Sequence, residues 1–167
     1  MARSDDKGHR ALRRGRASLP GQIYNVTATT LRRQGFFADF RAACAASASF
    51  APGVTGDLRL LCWVLMPDHA HWLLQLGRND SLDAVVARIK ATSARAANAL
   101  LGRTGALWSR AYHDHALRKE EDVVTVARYI IGNPVRAGLV DRIGDDPFWN
   151  AVWVAPEGAP AEADLLM

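Results

Sequence analysis

Residues 58–76 constrain this chain more than any other stretch. A nearly continuous apolar run ends at Met66, Pro67-Asp68 interrupts it, and His69-Ala70-His71-Trp72-Leu73-Leu74-Gln75-Leu76 follows. A two-residue break containing proline turns the chain, so the two runs read as neighbouring antiparallel strands. Side chains alternate faces along a strand, which puts His69 and His71 on one face and Ala70, Trp72 and Leu74 on the other. One face is then core, while two imidazoles converge on the opposite face at the hairpin's mouth. Neutral imidazole is a common metal ligand and a common acid or base near neutral pH. A pair of hydrogen-bonded structural histidines has the same pattern, so the rest of the chain must separate the two.

The flanking segments supply an architecture. Residues 22–30 alternate and are rich in β-branched side chains, predicting a first strand. Residues 36–49 carry Phe36, Phe37, Phe40 and Cys44 at helical spacing and predict a helix ended near Pro52-Gly53. Asp80-Ser81 offers an N-cap for a long helix to Leu101, with Leu82, Val85, Val86 and Ile89 as its apolar stripe. Residues 108–117 read as a fourth strand, with Trp108, Arg110, Tyr112 and Asp114 on one face and His113 and His115 on the other. Glu120-Glu121-Asp122 places acidic charge where a helix dipole favours it, and that helix is expected to stop at Gly132 before Pro134. The tail after Gly144 reads as loop, with Trp149 and Trp153 docking on the body. The order β-α-β-β-α-β plus a helix predicts an α+β, ferredoxin-like (split βαβ) antiparallel sheet. Two helices cover one face, and the C-terminal tyrosine-bearing helix crosses the other.

With 167 residues the chain suffices for one full core and is too short for two. Three segments are expected: a flexible basic arm at 1–17, one folded domain at 18–153, and a tail at 154–167. Residues 1–33 hold eight Lys/Arg against Asp5 and Asp6, so the remainder of the chain is slightly acidic. A basic arm on a near-neutral body attracts a phosphate backbone, and it equally describes a solubilising tail. No stretch reaches the length of a membrane span and no h-region follows the basic N-terminus, so no membrane partner and a cytoplasmic location are expected. Cys44 and Cys62 fit a reduced compartment and lack metal-type spacing.

In the last predicted helix, Tyr129 and Asn133 lie four residues apart and share a face. If that helix crosses the sheet face bearing His69 and His71, two imidazoles, one amide oxygen and one phenol share a small volume. Such neutral donors suit a hard divalent cation with positions left for phosphate oxygens. A phenol beside it is a plausible nucleophile. Taken singly, Tyr129 also reads as a half-buried helix tyrosine, and Asn133-Pro134 as a helix stop. Tyr24 reads as packing, and Tyr112 lacks a helical amide partner. Gly132 either clears space for DNA or prepares the stop at Pro134.

Four blocks of sequence carry a resemblance. They are Pro20-Gly21-Gln22-Ile23-Tyr24, Met66-Pro67-Asp68-His69-Ala70-His71, Leu107-Trp108-Ser109-Arg110-Ala111-Tyr112-His113-Asp114-His115, and Tyr129-Ile130-Ile131-Gly132-Asn133-Pro134-Val135-Arg136-Ala137-Gly138-Leu139-Val140. In this order they resemble the REP-associated tyrosine transposases, a branch of the HUH single-tyrosine, IS200-like transposases. The resemblance implies His69 and His71 as metal ligands, Asn133 as a third ligand, Tyr129 as nucleophile, and Mg²⁺ or Mn²⁺ as cofactor. It implies a single-stranded DNA endonuclease and strand transferase working through a 5′-phosphotyrosine link at palindromic repeat hairpins, as a monomer or homodimer. Asn25 stands where the family leads one to expect histidine. His115 is a candidate site-supporting residue, and Arg13, Arg14, Arg16, Arg110, Arg128 and Arg136 are candidate DNA contacts. Among other His-x-His phosphate enzymes, a histidine-triad hydrolase would want histidine at Leu73. A zinc deaminase would want His-x-Glu with Cys-x-x-Cys, and a two-histidine phosphoesterase would need a second His-x-Thr/Ser. None is present. The alternative from another class is a catalytically silent, domesticated DNA-hairpin-binding protein on the same fold.

Overall fold

The computed structural model describes residues 18–51, 55–119 and 121–154. The hairpin is β2 (Leu58–Met66) and β3 (His69–Leu76), with the turn at Pro67-Asp68 as the sequence predicts. Strand β1 (Ile23–Thr29) pairs with β3, β4 (His113–Ala116) with β1, and β5 (Trp149–Ala151) with β2, all antiparallel. The sheet order β4-β1-β3-β2-β5 is the ferredoxin-like arrangement extended by one edge strand. Helices α1 (Phe40–Ala48) and α2 (Leu82–Leu101) cover one face. Helix α3 (Val123–Ile131), followed by the short α4 (Asn133–Arg136), packs on the other. Among the described residues, no helix is long and apolar enough to cross a membrane.

Side-chain alternation divides the core into two layers. Val26, Ala28, Ala70, Trp72 and Leu74 pack with Ala42, Ala43, Ala46, Val85, Val86 and Ile89 under α1 and α2. Cys62, Val64, Met66 and Leu73 pack with Ala127 and Ile130 of α3 and with Ala151. A bulge makes this division possible. Leu60 pairs with Leu74 and Cys62 with Leu73, so Leu61 is an extra residue in β2. One inserted residue reverses which face each later side chain meets. Leu58 and Leu60 therefore face the first layer, whereas Val64 and Met66 face the second, opposite His71 and His69.

Several expectations need correction. Gly35 and the N-cap Asp39, whose carboxylate accepts from Ala42 N at 2.9 Å, break the expected helix 36–49 into a 3-10 turn (Phe36–Ala38) and α1. The buried face of α1 is its alanines; Phe40 is 62% exposed and Cys44 is exposed. The expected strand 108–117 reduces to β4 plus one bridge from Trp108 to Thr30, because Lys90 Nζ draws the carbonyls of Ser109 and Arg110 out of the ladder. The tail contains β5, which is too short to show alternation; Trp149 donates from Nε1 to Ile143 O at 3.0 Å, and Trp153 stays 39% exposed. The helical path also continues past Gly132, since Pro134 falls in the first turn of α4, where its missing N–H is not needed. Gly138, at φ 70°, closes α4, with Gly138 N bonded to Val135 O and Leu139 N to Pro134 O.

Candidate active site

The imidazole rings of His69 and His71 lie 5.0 Å apart between centroids and nearly perpendicular, at 82°. Strand register sets their neighbours. His71 pairs with Thr27 across β1 and with Val64 across β2, and His69 pairs with Thr29 and Met66. Each ring is held through Nδ1. His69 Nδ1–H donates to Asp68 Oδ1 at 2.6 Å, and His71 Nδ1 shares a hydrogen bond with Thr27 Oγ1 at 3.0 Å. In both rings the nitrogen left over is Nε2. A carboxylate behind a histidine is the usual outer arrangement of a metal site, fixing the tautomer and raising ligand basicity.

Asp68 is itself held from the other side by Arg33, Nη1 to Oδ2 at 3.4 Å. Partial burial works against the Asp68 charge, but the His69 hydrogen bond and the charges of His69 and Arg33 outweigh it, and its pKa falls below the ordinary carboxylate value. For His71, burial is the main cause of a pKa lowered to about 4; charges on His69, Arg136 and Arg33 add to it. His71 is thus neutral near neutral pH.

The position of Arg33 follows from an unusual turn. Arg32 and Arg33 adopt φ 54° and 56°, left-handed conformations that are uncommon for residues other than glycine. Hydrogen bonds to two distant segments, 67–68 and 107–109, lock that turn and the residues just after it. Thr30 N donates to Asp68 O (2.9 Å), Leu31 N to Leu107 O (2.8 Å), Phe37 N to Pro67 O (3.0 Å), and Ser109 Oγ to Thr30 O (3.0 Å). The knot fixes the hairpin's mouth, and with it Asp68 and the first histidine.

Tyr129 and Asn133 reach the same side of the sheet on the helices over β2. Ala127 and Ile130 anchor α3 against Val64 and Met66, the partners of the histidines in the ladder. Asn133 Nδ2 donates to Ile130 O at 2.8 Å, which leaves its Oδ1 as the acceptor not engaged by that bond. Tyr129 is 65% exposed, and the Arg136 guanidinium lies over its ring, 3.9 Å from carbon to centroid. Among the described residues, no hydrogen bond or ring contact joins Tyr129 or Asn133 to the histidines. The fold therefore places the four residues on elements at one side of the sheet, and among the described residues the ring contact within this set is that of the histidine pair. No group of three His, Cys, Asp or Glu that could hold a metal occurs among the described residues. The donors that fit a divalent cation are the two imidazoles and, as a third ligand, an amide oxygen such as that of Asn133.

His115 shares the histidine face through its pairing with Asn25, but it turns to the start of α3, with Nε2 3.0 Å from Glu121 Oε1. Asn25 Oδ1 is buried without a hydrogen-bond partner among the described residues. Arg110, Arg128 and Arg136 are exposed on the surface, while Arg13, Arg14 and Arg16 lie outside the described residues. Sequence reasoning missed Thr27 and Arg33, and it treated Asp68 only as a turn residue. The Thr27–His71 pairing needed strand register, and Arg33 needed a backbone conformation that sequence does not announce.

A family profile described as "Transposase IS200 like" matches residues 23–133, which run from the start of β1 to Asn133. A REP-associated tyrosine transposase of Haemophilus influenzae is 31% identical over 94 residues, covering 50% of this chain; the chain spans about half (53%) of that relative's length. A solved structure of a REP-associated tyrosine transposase bound to a REP hairpin superposes with a TM-score of 0.61 at 23% identity, covering 80% of this chain and 79% of that one, and shares the fold. The matched region contains the histidine pair, Tyr129 and Asn133, and the chain belongs to the IS200-like transposase family.

Proposed function

We propose that this protein is a metal-dependent single-stranded DNA endonuclease and strand transferase that acts at palindromic repeat hairpins, with Tyr129 as its nucleophile. The observation that carries this reading is the histidine pair. Its rings are fixed through Nδ1, they face the side of the sheet covered by the tyrosine helix, and His71 is kept neutral by burial. The hairpin bound in the solved relative supports the choice of substrate.

His69, His71 and Asn133 would hold Mn²⁺ or Mg²⁺, which when bound supplies positive charge to the scissile phosphate. The chain's own residues do the rest. Tyr129 Oη attacks phosphorus, an Oη–P bond forms, and the P–O3′ bond breaks. The phenolic proton passes to solvent, to which this side chain is open, and the departing 3′ oxygen takes up a proton. A 5′-phosphotyrosine link results, and a 3′-OH attacking the same phosphorus reverses the step and joins strands. No electron is gained or lost. Arg33 and Arg136, both close enough to act electrostatically on His71, give the site a positive field that favours the DNA backbone.

Labelled single strands from palindromic repeats flanking the gene, incubated with Mn²⁺ and resolved on a denaturing gel, test the proposal. A metal-dependent protein–DNA band, lost in Tyr129→Phe and His69→Ala, is the expected result. Tight hairpin binding without a band for any metal would instead leave a catalytically silent DNA-binding protein.

A further inference from the structure

We propose that Arg136 is the positioning residue for Tyr129, and that position 132 is glycine because the Arg136 guanidinium occupies the space a side chain would need. The proposal rests on the reading of Tyr129 as nucleophile and extends it to how that nucleophile is held.

Tyr129 and Arg136 lie on opposite sides of the junction between α3 and α4. Arg136 reaches back across the junction and makes two contacts with the tyrosine. Its guanidinium carbon sits 3.9 Å over the ring centroid, and Nη2 donates to the Tyr129 carbonyl. The charge is thus pinned to the backbone of the same residue whose ring it covers, which restricts both partners. A guanidinium over an aromatic face is attracted by the ring quadrupole and stacks as a plane, so it resists rotation of the phenol. Tyr129 is otherwise 65% exposed, and among the described residues this is its ring contact.

Gly132 supplies an independent observation. Its φ of −70° and ψ of −4° are ordinary right-handed values open to any residue, so the backbone does not require glycine. A Cβ added there would lie 2.7 Å from Arg136 Nη1, while its next neighbours, the carbonyl oxygens of Arg128 and Tyr129, would be at 3.4 and 3.5 Å. The guanidinium is the group that fills the space. Alanine would fit the helix and displace the arginine. Glycine within a helical path is otherwise disfavoured relative to alanine, so its presence calls for such a reason.

The full-length chain, labelled throughout with 3-fluorotyrosine, has three tyrosines, of which Tyr24 and Tyr112 are buried. Tyr129→Phe assigns the third ¹⁹F resonance. Arg136→Ala and Gly132→Ala are expected to shift that resonance and leave the other two in place. With the hairpin oligonucleotides at saturation, adduct formation is expected to slow about ten- to a hundredfold in both variants, as misplaced reacting groups do. In Gly132→Ala, which keeps the arginine's charge, hairpin affinity should stay within about threefold, since a positioning defect acts after binding. Arg136→Ala also removes a charge that favours the DNA backbone, so its rate is read only at saturating oligonucleotide. Guanidinium ion at low concentration should restore part of the rate in Arg136→Ala and none in Gly132→Ala. Gly132→Ala should also melt no lower than the parent chain, so lost rate cannot be lost folding. A Tyr129 resonance unmoved in Arg136→Ala, or a full adduct rate in that variant, overturns the proposal. Adduct formation persisting in Tyr129→Phe overturns the nucleophile reading instead.

Discussion

His69 and His71 share a strand face but differ in what holds them. His69 is oriented by a carboxylate that is itself tethered to Arg33, while His71 leans on a neutral hydroxyl and is driven towards neutrality by burial. The second arrangement has a consequence for acid stability. The ordinary histidine pKa of 6.5 describes the unfolded chain, whereas in the fold it falls to about 4. Between those values the unfolded state binds a proton that the native state refuses, so stability present above pH 6.5 is lost as pH falls towards 4. For the metal-free protein the loss reaches about 3 kcal/mol at pH 4, from the size of the shift. Urea denaturation of the parent chain and of His71→Gln at several pH values checks this. The parent's acid slope should be steeper, and identical slopes would mean that His71 is not buried as described. The spacing of the two histidines on one face was legible because strand alternation is a local rule. The groups behind them were not, because Thr27 meets His71 through strand register and Arg33 reaches Asp68, the carboxylate behind His69, through a left-handed turn.

Elements show the same division. The hairpin and α2 were read to their ends, since a proline turn, an N-cap serine and an apolar stripe at helical spacing are local signals. The break before α1, the shortened β4 and the extra strand β5 were missed. Asp39, Lys90 and the exposed edge of β2 decide those features, and each depends on what the chain meets elsewhere. The bulge at Leu61 was also hidden, because an apolar run buried on both faces shows no phase to be shifted. The seat of α3 is the element on which the candidate site depends. Ile130 is 1% exposed between α3 and the sheet, whereas Val135, on α4, is 39% exposed. Ile130→Ala should lower unfolding stability by about 2–5 kcal/mol. Val135→Ala should change it by no more than about 0.5 kcal/mol. Equal effects in chemical denaturation would show that the tyrosine helix does not pack on its own sheet in solution.

At the scale of the molecule, the two faces of one sheet have separate tasks. The α1–α2 face is a continuous apolar core. The other combines a smaller core under α3 with histidines, a buried amide and arginines at its open end. This separation lets the candidate site keep polar groups, and an Asn25 oxygen without a partner among the described residues, away from the main core. The basic segment 1–17, which lies outside the described residues, is expected to add a contribution of its own. Residues 1–17 contain Arg3, Lys7, Arg10, Arg13, Arg14 and Arg16. If the arm contacts the backbone of a single strand, its removal should make the slope of log affinity against log salt shallower by up to about 4, at roughly 0.7 per charge. An unchanged slope in a salt titration of hairpin binding would assign the arm another role.

The central claim is that Tyr129 becomes covalently joined to DNA. Trypsin cuts after Arg128 and Arg136, so Tyr129 lies in a short peptide ending at Arg136. Mass spectrometry of a nuclease-trimmed, trypsin-digested reaction with Mn²⁺ and a repeat-hairpin strand should find that peptide carrying a nucleotide phosphate on its tyrosine. A nucleotide on the peptide of Tyr24 or Tyr112, or a cut strand with every tyrosine unmodified, would contradict the account.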